Sequence, residues 1–241
     1  MRHRRNLRDG LIVVSLLAAI LLVVGMLLRI EPASYREVAA PEGEQRRELS
    51  AEFTKRFRHL MDAVGNGEEQ WSETFTTDQI NSYLAEEFFR VQPFHLPEDI
   101  HSPRVSIEPD RLRLTFRYGR GFWSTVITVD LKIWLVAQEV NLLAVEILDV
   151  RAGVVPLAVQ SILERIAENA SSWKAEVTWY RHGRNPVALV RWQPDQPNPP
   201  IVMEQFELLE QQLRLGGRST APFAWGPAVS MNRRRYEAES E

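Results

Sequence analysis

The chain has no cysteine. That excludes disulfides, thiol nucleophiles and cysteine-ligated zinc together. It also has no Gly-x-Ser-x-Gly elbow, no phosphate-binding glycine loop and no dinucleotide fingerprint. The motifs of the commonest hydrolases, nucleotide enzymes and dehydrogenases are therefore missing. Residues 11–28, LIVVSLLAAILLVVGMLL, hold no charge at all. Beyond residue 30 there is no basic excess either. The first 30 residues carry five Arg and one Asp of the chain's 29 basic and 32 acidic residues, which leaves 24 against 31, a net of −7. A mildly acidic domain is a poor partner for nucleic acid.

The uncharged run is the strongest positive signal. Its 18 residues would reach about 27 Å as a helix, close to the ~30 Å of a bilayer's hydrocarbon core. Arg2, Arg4, Arg5 and Arg8 precede it, and Arg29 and then Glu31 follow. This asymmetry places the N-terminus in the cytoplasm and the bulk of the chain outside. A cleaved secretory signal is the rival reading. The exit Leu27-Leu28-Arg29-Ile30-Glu31-Pro32 offers no small-x-small cleavage site, so an uncleaved signal anchor is favoured. The expected organisation is a basic cytoplasmic tail over 1–10, a transmembrane anchor over 11–28 and a slack polar linker over 29–43. An extracytoplasmic domain over 44–217 and a disordered polar tail over 218–241 complete it.

The domain opens with helical patterning. Leu49, Phe53, Phe57, Leu60, Met61 and Val64 share one helix face, predicting an amphipathic helix over 44–64 that Gly65-Asn66-Gly67 ends. That face docks on the domain or lies on anionic headgroups. A second helix is predicted over 77–89. Thr76 is its N-cap, and Gln79 stands at capping-box spacing. The period then falls to two. Val105 and Ile107, then Leu112, Leu114 and Phe116, predict two short strands around Pro109-Asp110. Residues 123–136 alternate throughout and predict one long strand, paired with 139–150 across a turn at Ala137-Gln138. Gly153 breaks that strand. Pro156 then opens a predicted helix over 156–169 whose stripe includes Ile162 and Ile166. Strands are expected again over 173–180 and 186–192. Phe206, Leu208, Leu213 and Leu215 repeat the spacing of Val105, Ile107, Leu112 and Leu114, which favours a second strand–turn–strand unit over a helix.

Two short motifs, Thr76-Thr77-Asp78-Gln79-Ile80-Asn81-Ser82-Tyr83-Leu84 and Gly153-Val154-Val155-Pro156, resemble the YpmS-like family of single-pass envelope proteins. More distantly they resemble LmeA-like lipid-binding proteins. The resemblance spans residues 5–217. It implies an extracytoplasmic domain of curled sheet plus helices and no catalytic residues.

Other clusters point less far. His95, Glu98, Asp99 and His101 gather metal-ligating groups in one loop, but at no recurrent metal spacing. Asn81, beside an apolar stripe, suits a backbone-bonding role. Core packing accounts for most of the seven Trp. Asn169-Ala170-Ser171 fits a sequon that matters only in a eukaryotic secretory route.

The expected fold is α+β: an N-terminal transmembrane helix, then a long-stranded curled antiparallel sheet covered by amphipathic helices. The expected function is a membrane-anchored, non-catalytic, cofactor-free and metal-free binding module of the cell envelope. Leu131, Ile133, Leu135, Ile162 and Ile166 are the expected lining of a groove for a lipid or another apolar ligand. The alternative is a packed structural protein docking an envelope partner.

Overall fold

The computed structural model describes residues 15, 17, 19–88, 99–121, 124–157, 175–192 and 198–222. The fold is α+β, built on antiparallel sheets. Three helices precede most of the strands: α1 (Ala33–Glu37), α2 (Gly43–Asn66) and α3 (Thr77–Glu86). The long helix α2 follows its sequence stripe, burying Leu60, Ala63 and Val64. It stops at Gly67, whose φ of +78° is left-handed and whose N–H returns to the Ala63 and Val64 carbonyls. The capping box at the start of α3 closes as expected. Thr76 Oγ1 accepts from the Gln79 N–H at 3.2 Å, and Gln79 Oε1 accepts from the Thr76 N–H at 2.9 Å. Thr76→Ala is expected to lower stability by about 0.5–2 kcal/mol, read as a lower denaturant midpoint at unchanged slope.

The strands are β1 (Trp71–Thr76), β2 (Ile100–Glu108), β3 (Arg111–Tyr118), β4 (Thr125–Leu135), β5 (Leu142–Ala152), β6 (Val155–Pro156), β7 (Ala175–His182), β8 (Asn185–Trp192), β9 (Ile201–Leu209) and β10 (Gln212–Ser219). They form two sheets, where the sequence suggested one. The larger runs β2-β3-β4-β5-β8-β7, with β6 added on β5; the smaller runs β1-β10-β9. The expectation that helices cover the large sheet is corrected in part. Helix α2 packs on the small sheet, where Leu60, Ala63, Val64, Trp71, Phe75 and Ile201 form the core. Helix α3 lies along the edge strand β2. The predicted helix over 156–169 is corrected at its start: Pro156 belongs to β6 and pairs with Arg151. Gly153, at φ +58°, reverses the chain so that it folds back on β5. Residues 158–169 lie outside the described residues.

The repeated hairpin spacing is real. Both β2–β3 and β9–β10 turn at a residue with positive φ, Asp110 at 60° and Gln211 at 54°. The two turns then exchange hydrogen bonds: the Asp110 N–H donates to the Leu208 carbonyl at 3.2 Å and the Gln211 N–H to Ile107 at 3.0 Å. Positions 107 and 110 correspond to 208 and 211 at a constant offset, so this contact is a local pseudo-two-fold. It joins the small sheet to one end of the large one.

Register assigns the faces of the large sheet. Leu112, Leu114 and Phe116 of β3 lie beside Leu131, Val129 and Ile127 of β4, and these lie beside Ile147, Val150 and Ala152 of β5. A bulge between Asp130 and Leu131 sets Leu148 out of step and keeps this face apolar on both sides of it. Val129, Ile147 and Val150 are buried there, with Leu114, Phe116, Ile127, Leu131 and Trp179 packed around them.

Candidate functional site at the docked end of the apolar helix

Residues 19–29 form a continuous helix. Among the described residues no helix is both long and apolar enough to cross a membrane. The spanning helix expected over 11–28 is therefore not among the described elements, and residues 11–14, 16 and 18 lie outside them. The described part has an unusual surface. Leu17, Ile20, Leu21, Leu22, Val23 and Met26 are all at least half exposed. The ten residues before Arg29 make nearly three turns, so apolar side chains stand open on every side. A helix apolar all round normally belongs in a core or a bilayer.

The end of this helix is fastened. Thr125 Oγ1, at the start of β4, donates to the Leu28 carbonyl at 2.5 Å, and the Val154 N–H donates to the Leu27 carbonyl at 3.4 Å. Gly153 meets the same two carbonyls. A Cβ built on it would sit 2.5 Å from Leu27 O and 2.6 Å from Leu28 O, so the close approach as well as the positive φ requires glycine.

The following residues are fastened too, which corrects the expectation of slack over 29–43. Glu31 pairs with Arg117 of β3 at 2.7 Å. Tyr35 in α1 is 1% exposed, and its hydroxyl donates to the Ser102 carbonyl at 3.1 Å. Arg104 donates to the Tyr35 carbonyl at 2.5 Å and lays its guanidinium 3.9 Å from the Tyr35 ring centre, with Arg117 at 5.4 Å. The Val38 carbonyl accepts from Asn81 Nδ2 at 3.2 Å.

Asn81 does more than hold Val38. Its Nδ2 also donates to the Val105 carbonyl at 2.8 Å, and its Oδ1 accepts from the Val105 N–H at 2.7 Å. One amide thus pairs with the outer edge of β2 as a further strand residue would. The backbone-bonding role expected for Asn81 is the one it has. Asn141, which the sequence reading passed over, serves the edge strand β9 in the same way. It is 1% exposed at φ 55°, donates to the Ile201 carbonyl at 2.7 Å and accepts from the Met203 N–H at 2.9 Å.

The expected lining residues divide. Leu131, Ile133 and Leu135 share the apolar face of β4, as their spacing required, and all three are half-buried. Leu131 packs on the Val129–Ile147–Val150 cluster. Ile133 and Leu135 stand beside Val145 and Leu143, also half-buried. Ile162 and Ile166 lie outside the described residues, as do His95 and Glu98. The other two members of that loop cluster are occupied differently: Asp99 pairs with Arg120 at 3.6 Å and His101 is in β2. Among the described residues no group of three or more His, Asp or Glu is placed to hold a metal. Trp71 and Trp179 pack in the two cores.

Several other charges are tied into structure. Arg113 grips Asp130 through two bonds, 2.6 and 3.2 Å, on the opposite face of the large sheet; that pairing raises the guanidinium pKa. Arg56 bridges Glu52 and Glu73, joining α2 to β1. The hydrogen bond from Arg56, followed by one from Gln79, holds the Glu52 carboxyl below its ordinary range. The open depression beside them is lined by both signs of charge, including Lys55, His59 and Asp62.

No family model, no curated protein and no solved structure matches the chain.

Proposed function

We propose that the protein is an extracytoplasmic, non-catalytic module anchored by residues 11–28, and that the apolar face of its large sheet takes a lipid or a similar apolar ligand. The YpmS-like resemblance points the same way. The observation that carries the anchoring is the exposed helix over 19–29, apolar as far as Leu28, whose only described fastening is at its end. Water is a costly neighbour for such a surface, at about 25 cal/mol per Å² of apolar area, and a bilayer removes that cost. The ligand reading rests on β4 and β5. Val129 and Val150 are closed at the centre of the apolar face, whereas Ile133, Leu135, Leu143 and Val145 keep part of their surface open. An acyl chain needs such a wall, with few polar groups to satisfy.

The test is lipid carried through purification of the full chain. Extracted lipid is compared by mass spectrometry with the bulk lipid of the same membranes. Enrichment of one class near one molecule per chain is expected. Ile133→Arg should reduce that enrichment about tenfold or more, because a charge set on an apolar wall costs well over the ~1.4 kcal/mol that a factor of ten represents. A lipid profile identical to bulk, in protein and variant alike, would overturn the ligand reading and favour a packed module that docks a protein partner.

A further inference from the structure

We infer that the end of the large sheet where the apolar helix docks is itself a membrane-contacting surface, with Ile30, Tyr118, Val154 and Leu157 seated in the headgroup and upper acyl layer of the bilayer that residues 11–28 enter. This rests on the anchoring proposed above. It adds that the domain lies down on the membrane in one orientation instead of swinging above it.

Geometry is the first support. Leu27 and Leu28 are bonded to Val154 and Thr125, and Tyr118 is the register partner of Thr125. The Leu157 N–H bonds to the Val150 carbonyl, just past the pairing of Val155 with Ala152. All four apolar residues are thus within a few residues of the point where the helix leaves. Glu31, Tyr35 and Val38 then clamp the following segment, so no flexible tether separates that point from the bilayer.

Surface is the second. Outside the apolar helix, seven large hydrophobic residues are exposed among the described residues: Ile30, Phe57, Tyr118, Val140, Val154, Leu157 and Tyr180. Exposed hydrophobics scattered singly need no explanation. Four of these seven gather at one end, at 46%, 38%, 44% and 37% exposure, and that concentration does. Tyrosine also favours the membrane–water boundary, where its ring is buried and its hydroxyl stays wet. Arg120 and Arg151, both mostly exposed and paired with Asp99 and Asp149, flank the cluster as polar rim.

The native chain has no cysteine, so single labels can be placed without removing any. Val154→Cys, Leu22→Cys and Tyr180→Cys are each made in the full chain and carry a polarity-sensitive fluorophore. Each is reconstituted in phosphatidylcholine vesicles containing acyl-chain nitroxide quenchers. Tyr180, at 41% exposure, matches Val154 in openness but lies on β7, away from the helix. Quenching and a blue shift are expected at Leu22→Cys and Val154→Cys, with Val154→Cys quenched several-fold more than Tyr180→Cys. Quenching at Leu22→Cys with Val154→Cys no different from Tyr180→Cys would overturn this inference and leave the anchor standing. No quenching at Leu22→Cys would remove the anchor, and this inference with it.

Discussion

Tyr35→Ala is expected to release the clamp between the apolar helix and the sheet. A fully buried aromatic truncated to alanine costs about 3–5 kcal/mol, and here the loss falls on one short segment. Tyr35 gives up its bond to Ser102 and leaves the Arg104 guanidinium without the ring it lies against. The neighbouring Arg36 is exposed and becomes a reporter: trypsin needs several residues of extended chain, which the docked segment does not offer. Cleavage then follows the population of the opened form, so 3–5 kcal/mol translates into roughly a hundred- to a few-thousand-fold faster cutting after Arg36. Tyr35→Phe separates packing from bonding. It loses one hydrogen bond, about 0.5–1.5 kcal/mol, and cutting should accelerate only several-fold. A native chain already cut rapidly at Arg36, or a Tyr35→Ala chain cut no faster, would mean that residues 29–43 are slack after all.

That segment shows where sequence reasoning stopped and why. Helices α2 and α3 were readable because their information is local: an apolar stripe, a terminal glycine and a capping box lie within one element. The β9–β10 hairpin was readable because its spacing copies β2–β3, and Leu131, Ile133 and Leu135 fell on one face because alternation alone decides that. Tyr35 has no such local mark. It is one aromatic in a polar stretch, and its partner Ser102 is 67 residues away. The same holds for β1. Trp71 and Phe75 are spaced as on a helix, and only pairing with β10, from Trp71 opposite Gly217 to Thr76 opposite Gln212, makes a strand of them. Pro156 departs from its expected helix for a related reason. Proline suits a helix's first turn, but it is also tolerated in a short edge strand such as β6, and the chain reversal at Gly153 decided between them. The division into two sheets was hidden for the same reason, because the groups that meet its edges are distant in sequence: Asn81 bonds Val105 of β2, and Asn141 bonds Ile201 and Met203 of β9.

Replacing Asn81 by leucine tests that closure directly. The side chains are close in size, so the cavity left is small and the effect is chiefly polar. Val105 would keep its N–H and C=O pointing outward from β2 with neither Asn81 contact, and the Val38 carbonyl would lose its donor. Buried groups left without partners cost about 1–3 kcal/mol each, so the two on Val105 alone imply a loss of roughly 2–6 kcal/mol in chemical denaturation, with the Val105 amide exchanging much faster. Asn81→Asp should fare no better. It retains an acceptor for the Val105 N–H but turns a carboxylate oxygen towards two carbonyls that need a donor. Asn141→Leu, at the β9 edge, removes the corresponding pair of bonds to Ile201 and Met203. If Asn81→Leu unfolds at the native denaturant concentration while Asn141→Leu does not, the β2 edge is closed by the packing of α3, and the amide merely accompanies it. If both lose stability, side-chain amides close both edges and keep them out of edge-to-edge pairing with other copies.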